Sequence, residues 1–274
     1  MSTRNWLPSD DDPAAFHRTV SWTVIGLSPF VFLGLLLFQP PTYGKLNQSN
    51  QRNWLGPKVT AKWCWMIFES PNWIWVLYTV ITVGHDNIPA PNKILLGWFL
   101  FHYLHRSIVY PLRMTSDSQF PIGIMAFTVP YCVTNGYLQS QGLTRFQTPA
   151  FPSDDWVSVP FVLGAILTIL GFVLGYGSDQ TLLRLRRECA SSKKNKYQIP
   201  HGGLFVYVSC PHFLGEILEW IGFCVACQGS LASLSFAMWT AANLVPRALH
   251  HHAWYLEKFD DYPETRRALI PFLL

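Results

Sequence analysis

Seven stretches of this chain are apolar over about the length that a helix needs to cross a bilayer, roughly 20 residues. They are residues 20–38, 63–83, 94–112, 120–138, 156–176, 213–227 and 231–255. The first, the fourth and the fifth carry no charged residue, although Pro130 interrupts the fourth. The others hold ionisable side chains that must face a protein interior or a wet cavity, because hydrocarbon does not tolerate them. The expected fold is therefore all-α, an integral membrane protein with seven transmembrane helices. Residues 1–274 form one domain, with 1–19 as a polar N-terminal segment.

Composition supports this and excludes a soluble enzyme. Half of the 274 residues are hydrophobic and 13% are charged, against about 25% charged in a soluble domain. No polar segment is long enough for a separate globular domain. Asp10, Asp11 and Asp12 precede the first apolar run where a cleaved leader would be basic, so the first span is expected to act as the targeting signal. Six cysteines are scattered, and Cys224 and Cys227 form a CxxC inside an apolar run with no second pair. Small buried side chains account for them better than metal or redox chemistry does.

Lysine and arginine are distributed unevenly between the two sides that seven spans create. Lys45, Arg52, Lys58, Arg113, the cluster from Arg184 to Lys196, Lys258, Arg266 and Arg267 fall on one side. Only Arg4, Arg18, Lys93 and Arg145 fall on the other. The richer side is expected to be cytosolic, with the N-terminus lumenal and the C-terminus cytosolic. The Asn47 sequon then stays unmodified. Residues 178–209 read as a long basic loop, either a solvated face or a surface for phosphates or anionic headgroups.

Ionisable groups within the spans are the candidates for chemistry. Trp65 and Glu69 are four apart and share a helix face. A protonated Glu69 could donate to a carbonyl, and a structural carboxyl is the plainer alternative. His102, Tyr103, His105, Arg106 and Tyr110 follow in the next span, where tyrosine could also mark an interface belt. Asp179 and Arg186 are seven apart. Tyr197 leads to His201-Gly202-Gly203, a glycine pair suited to a tight turn. His212, Glu216 and Glu219 (i, i+4, i+7) lie on one helical face, and Arg247, His251 and Tyr255 (i, i+4, i+8) lie on another. The absence of HExxH and the basic Arg247 argue against a metal. No GxGxxG follows a strand, so a nucleotide would have to bind between helices. Arginine for phosphate, carboxylates for hydroxyls and aromatics for stacking describe a pocket for a phosphorylated cofactor.

Several long motifs give a resemblance. They are Tyr197-x-Ile-Pro-His-Gly-Gly-Leu-Phe-x-Tyr-Val-Ser, Phe213-Leu-Gly-Glu-Ile-Leu-Glu-Trp220, and Arg247-Ala-Leu-His-His-His-x-Trp-Tyr255. Lys258-Phe-x-Asp-Tyr-Pro-x-x-Arg266 and Ala268-Leu-Ile-Pro-Phe272 continue the series. With Trp65/Glu69 and His102-Tyr-x-His-Arg106 upstream, the chain resembles the steroid 5α-reductase family from Tyr43 onward, most specifically over residues 201–274.

The resemblance implies a seven-helix membrane enzyme that transfers hydride from NADPH to C5 of a 3-oxo-Δ4-steroid. It implies Glu69 and Tyr103 at the 3-keto oxygen. It implies Trp65, Asp179, Arg186, Tyr197, His212, Glu216, Arg247, His251 and Tyr255 around the cofactor. Of the three adjacent histidines, His251 is expected at the cofactor, since it shares a face with Arg247 and Tyr255. Steroid and bilayer are the implied partners, without metal or nucleic acid. The implied state is a monomer in the endoplasmic reticulum membrane, or the inner membrane of a bacterium. Two positions depart: close steroid reductases commonly have Asn at the place of His212, and Gln198 stands where many members have a basic residue. Reduction of another lipid (a polyprenal, sterol or enoyl thioester), a membrane methyltransferase and a transporter remain as alternatives.

Overall fold

The computed structural model describes residues 12–38, 56–114, 119–149, 151, 157–192 and 197–274. Residues 1–11, the Asn47 sequon, Lys45, Arg52, Trp156, Lys193, Lys194 and Lys196 lie outside the described residues.

Helix α1 (Pro13–Leu37) begins where the sequence places two start signals. Pro13 occupies the first turn, and Asp12 Oδ1 accepts from the amides of Ala14 at 2.9 Å and Ala15 at 3.1 Å. Then come α2 (Ala61–Val83), α3 (Ala90–Leu104), a π-helical turn (His105–Val109) and the short α4 (Tyr110–Arg113). After these come α5 (Met125–Leu143), α6 (Val159–Ser192), α7 (Pro211–Ala226) and α8 (Leu231–Lys258). Each expected span falls on helix, but three details differ from expectation. The third is broken by the π turn. The fourth starts at Met125, because Phe120 lies in a strand. And α6 runs on to Ser192, so Asp179 and Arg186 are helix residues rather than loop residues. Leu183 and Cys189 give that polar extension a buried stripe, which the sequence of charges conceals.

Among the described residues, α1 and α6 are long and apolar enough to cross a membrane by length and composition. Phe30, Leu37, Ile81, Phe127, Leu170 and Val173 are all more than half exposed, an apolar surface suited to hydrocarbon.

Two contacts position the helices that matter. Strand β1 (Lys58–Thr60) pairs antiparallel with β2 (Gln119–Pro121), Val59 opposite Phe120, so the starts of α2 and α5 are tied together. Further along, a methyl group at Gly136 of α5 would meet the Asn72 Cα of α2 at 2.9 Å. Helices α6 and α7 approach more closely still. A methyl group at Gly164, Gly171, Gly215 or Gly222 would strike the backbone nitrogen of Ala226, Glu219, Gly175 or Thr168 respectively. Small residues at helical spacing permit this approach of backbones.

The chain ends as a strap. Arg267 N donates to Tyr207 O at 2.9 Å, Ser209 N to Arg267 O at 2.8 Å and Cys210 N to Ala268 O at 3.1 Å. The strap fastens the segment that enters α7. The glycine pair at its start adopts the expected turn, with φ of 85° at Gly202 and 52° at Gly203, values open mainly to glycine.

Candidate active site

Arg106 sits at the meeting point of four helices. The π turn that carries it closes with Tyr110 N donating to His105 O, a bond one residue longer than in an α-helix. Such turns re-aim side chains and cluster at functional sites. The guanidinium donates from Nη1 to Asp179 of α6 at 3.4 Å and from Nη2 to Glu216 of α7 at 3.2 Å. Its carbon lies 4.6 Å from the ring centre of Trp65 and 5.2 Å from that of Tyr110. A planar cation with its fork on carboxylates and its face on aromatics uses the properties that distinguish arginine from lysine.

Glu219 has a separate environment. It is buried between α3 and α7, accepting from His102 Nδ1 at 2.8 Å and Trp98 Nε1 at 3.1 Å. The i, i+4, i+7 stripe of α7 is therefore divided. Glu216 faces Arg106, Glu219 locks α7 to α3, and His212 turns toward α6 and α8.

Tyr103 is buried among Phe99, Trp220 and Phe236, nearly parallel to the last two rings at 23° and 26°. Its hydroxyl oxygen accepts from Asn135 Nδ2 of α5 at 3.1 Å. The Cys132 thiol, beside Asn135 on α5, approaches Glu69 Oε2 at 3.9 Å. Cys132 and Asn135, one turn apart on α5, thus reach Glu69 of α2 and Tyr103 of α3 respectively.

A cavity of about 70 Å³ lies where α6, the approach to α7 and α8 converge. It is lined by Arg186, Tyr197, His212, His251 and Tyr255, all expected at the cofactor, and by Gln198. The three histidines serve three ends. His250 Nε2 donates to Leu35 O of α1 at 2.9 Å, His251 faces the cavity, and His252 Nδ1 lies 2.7 Å from Ser209 Oγ. Tyr255 extends the cavity wall outward by stacking on Tyr262 at 5.0 Å and 9°. Burial pushes the Tyr262 hydroxyl above the usual phenol range, so it stays protonated where it meets Ser209 at 2.6 Å.

The expected cofactor set is therefore gathered in two groups, not one. Trp65, Asp179 and Glu216 surround Arg106, and five others line the cavity. Arg247 is in neither; it is half-buried on α8 and makes no ion pair among the described residues.

Residues 118–274 match the family described as 3-oxo-5-alpha-steroid 4-dehydrogenase. Over 252 residues, 91% of this chain and 94% of the relative, the chain is 39% identical to 3-oxo-5-alpha-steroid 4-dehydrogenase 1 of Mus musculus. The chain belongs to the steroid 5α-reductase family. Over 265 residues it is also 36% identical to steroid 5-alpha-reductase DET2 of Arabidopsis thaliana, covering 94% of this chain and 97% of that one. As a member of this membrane-bound family the protein is an oxidoreductase. Arg106 stands among the candidates named from the sequence, but two residues of the site, Asn135 and Gln139, do not. Arg106 was visible three residues from Tyr103 and four from Tyr110. Asn135 and Gln139 carry the same kind of signal, two carboxamides four apart in an apolar run.

Proposed function

We propose that this steroid 5α-reductase family member transfers a hydride from NADPH to C5 of a 3-oxo-Δ4-steroid, giving the 5α-reduced 3-oxosteroid. The observation that best supports this is the Tyr103 hydroxyl held by one donor, Asn135, inside an aromatic enclosure, with Cys132 on the same helix as Asn135 reaching Glu69.

The residues fit the cofactor by their chemistry. Arg186, Tyr197, His212, His251 and Tyr255 offer cationic, hydrogen-bonding and aromatic groups to a phosphorylated nucleotide. The space between them, about 70 Å³, is well below the roughly 300 Å³ of a whole ligand pocket, so it takes one portion of the molecule. Trp65, Asp179 and Glu216, ordered by Arg106, take another, and Arg247 is assigned to the cofactor by family resemblance. NADPH supplies the hydride when bound. Among the chain's own groups, Tyr103 holds its proton at the steroid 3-keto oxygen. The electron pair displaced from the C4–C5 double bond moves toward that oxygen, and a donor placed there stabilises the developing charge. Glu69 supports the same oxygen. Phe99, Trp220 and Phe236 exclude water around it. A proton then joins C4.

His212 and Gln198, the two departures from the steroid-reducing relatives, both line the nucleotide cavity. They bear on the choice of cofactor and leave the steroid reading in place. The proposed setting is seven spans with a lumenal N-terminus and a cytosolic C-terminus, in the endoplasmic reticulum membrane of a eukaryotic cell or the inner membrane of a bacterial one.

Purified protein should reduce a 3-oxo-Δ4-steroid with NADPH. Tyr103→Phe and Glu69→Gln should each lower kcat by roughly 10²-fold, the scale of losing one preorganised donor, while NADPH titration is unchanged. Normal turnover in both variants would overturn the assignment of these residues.

A further inference from the structure

Tyr103 is useful at a carbonyl only if its O–H points outward. A phenol can donate or accept, and hydrogens are placed by the logic of their neighbours. Here that logic is closed at both ends by backbone carbonyls, which can only accept.

The first end is Ala232 O, at the start of α8. Gln139 Nε2 donates to it at 2.8 Å, so the amino side of that carboxamide is assigned. The second hydrogen of Gln139 Nε2 goes to Asn135 Oδ1 at 3.2 Å, so the facing atom of Asn135 is its oxygen. The amino group of Asn135 must then lie on the other side, where it donates to Tyr103 at 3.1 Å and to Asn72 Oδ1 at 3.1 Å. The other end is Glu69 O, which accepts from Asn72 Nδ2 at 3.3 Å. That bond leaves the Asn72 oxygen toward Asn135, in agreement with the first chain. Asn72, Asn135 and Gln139 are all buried at 2% exposure or less, so water does not loosen the order.

We infer that Asn135, held by Gln139 and Asn72, is a positioning residue that sets the direction of the Tyr103 proton. Resting on the reading that Tyr103 meets the 3-keto oxygen, the assignment follows from counting. Asn135 occupies a lone pair of the phenol and offers it nothing to donate to. Among the described residues no other group accepts from the Tyr103 hydroxyl. The proton is left for the substrate, and the orientation is complete before the steroid arrives. The arrangement depends on helix approach: Gly136, beside Asn135, is the residue that lets α5 come close enough to α2 for the two asparagines to bond.

The test compares affinities for two inhibitory steroids, a 3-oxosteroid and its 3-deoxy counterpart, in the full chain with NADPH. The ratio of the two inhibition constants reports the bond to the 3-oxygen and is insensitive to a general loosening of the pocket. Asn135→Leu should lower the 3-oxo preference about tenfold, one hydrogen bond's worth, and add no further loss in the Tyr103→Phe background. Gln139→Leu, which never touches Tyr103, should lower it about threefold and covers the case in which Asn135→Leu fails to fold. An unchanged ratio in the folded variants, with both steroids weakened alike, would overturn the positioning role. If Tyr103→Phe itself leaves the ratio unchanged, the reading of Tyr103 fails instead, and the two failures are told apart.

Discussion

Arg106 shows how one side chain can organise groups that are far apart in sequence. Asp179 and Glu216 come from α6 and α7, Trp65 from α2, and all three meet on a single guanidinium. Spacing placed Tyr110 within reach, and the ring does lie 5.2 Å away. The contacts with Asp179 and Trp65 could not be read from spacing, because a period along one helix is silent about the facing helix. Arg106→Lys keeps the charge and loses the fork and the stacking plane. It should weaken NADPH binding by about tenfold while the steroid pocket persists. Arg106→Ala should be worse, costing about 3–5 kcal/mol of stability, because it leaves two largely buried carboxylates without their cation. Nucleotide titration and thermal unfolding in detergent would check both, and Arg106→Lys binding at parental affinity would argue against any role at the cofactor.

At the scale of elements, the helices were legible because apolar runs of span length allow little else. The two three-residue strands were not, since such short segments carry no period. The extension of α6 was hidden for another reason. Asp179 to Glu188 reads as a charged loop until Leu183 and Cys189 are seen to be buried along one stripe. Gly164 and Gly171 stand at small-residue helical spacing, and α7 answers them with Gly215 and Gly222. This seam sets where Asp179 and Glu216 stand relative to Arg106. Gly171→Ala would force a methyl group into the Glu219 backbone and displace α7. It should lower the thermal midpoint and abolish most activity, since even a small misplacement of catalytic groups can cost about 10²-fold. Gly177→Ala, on the same helix with nothing within 4 Å of the added carbon, should be neutral or stabilise by up to about 1 kcal/mol through helix propensity. Equal effects from the two substitutions would mean that the seam is not what positions the site.

For the molecule as a whole, the site is assembled from α2, α3, α5, α6, α7 and α8, then closed from outside by the C-terminal strap. The strap contributes no helix, yet it buries Arg266, Ala268 and Leu269 and bonds its backbone to residues 207–210. Those residues lead directly to His212, and Tyr262 connects the strap to Ser209 and, by stacking, to Tyr255. The motif from Lys258 to Phe272 was conspicuous in the sequence as a resemblance, but nothing in its spacing told what it does. The structure gives it a mechanical task, holding the entrance of α7 against α8 so that His212, His251 and Tyr255 share one cavity. A chain ending after Tyr262 keeps helices α1 to α8 and the Tyr255 stack but loses the bonds from Arg267 and Ala268. It should therefore insert normally and retain its helical content by circular dichroism. NADPH affinity should fall by more than about tenfold, given that three backbone hydrogen bonds and the burial of two apolar side chains are removed together. Limited proteolysis of the shortened chain should show new cleavage between Gly203 and Cys210 that the full chain lacks and that added NADPH does not suppress. If the shortened protein binds NADPH as tightly as the parent, the strap is a surface feature and the cavity is held by the helices alone.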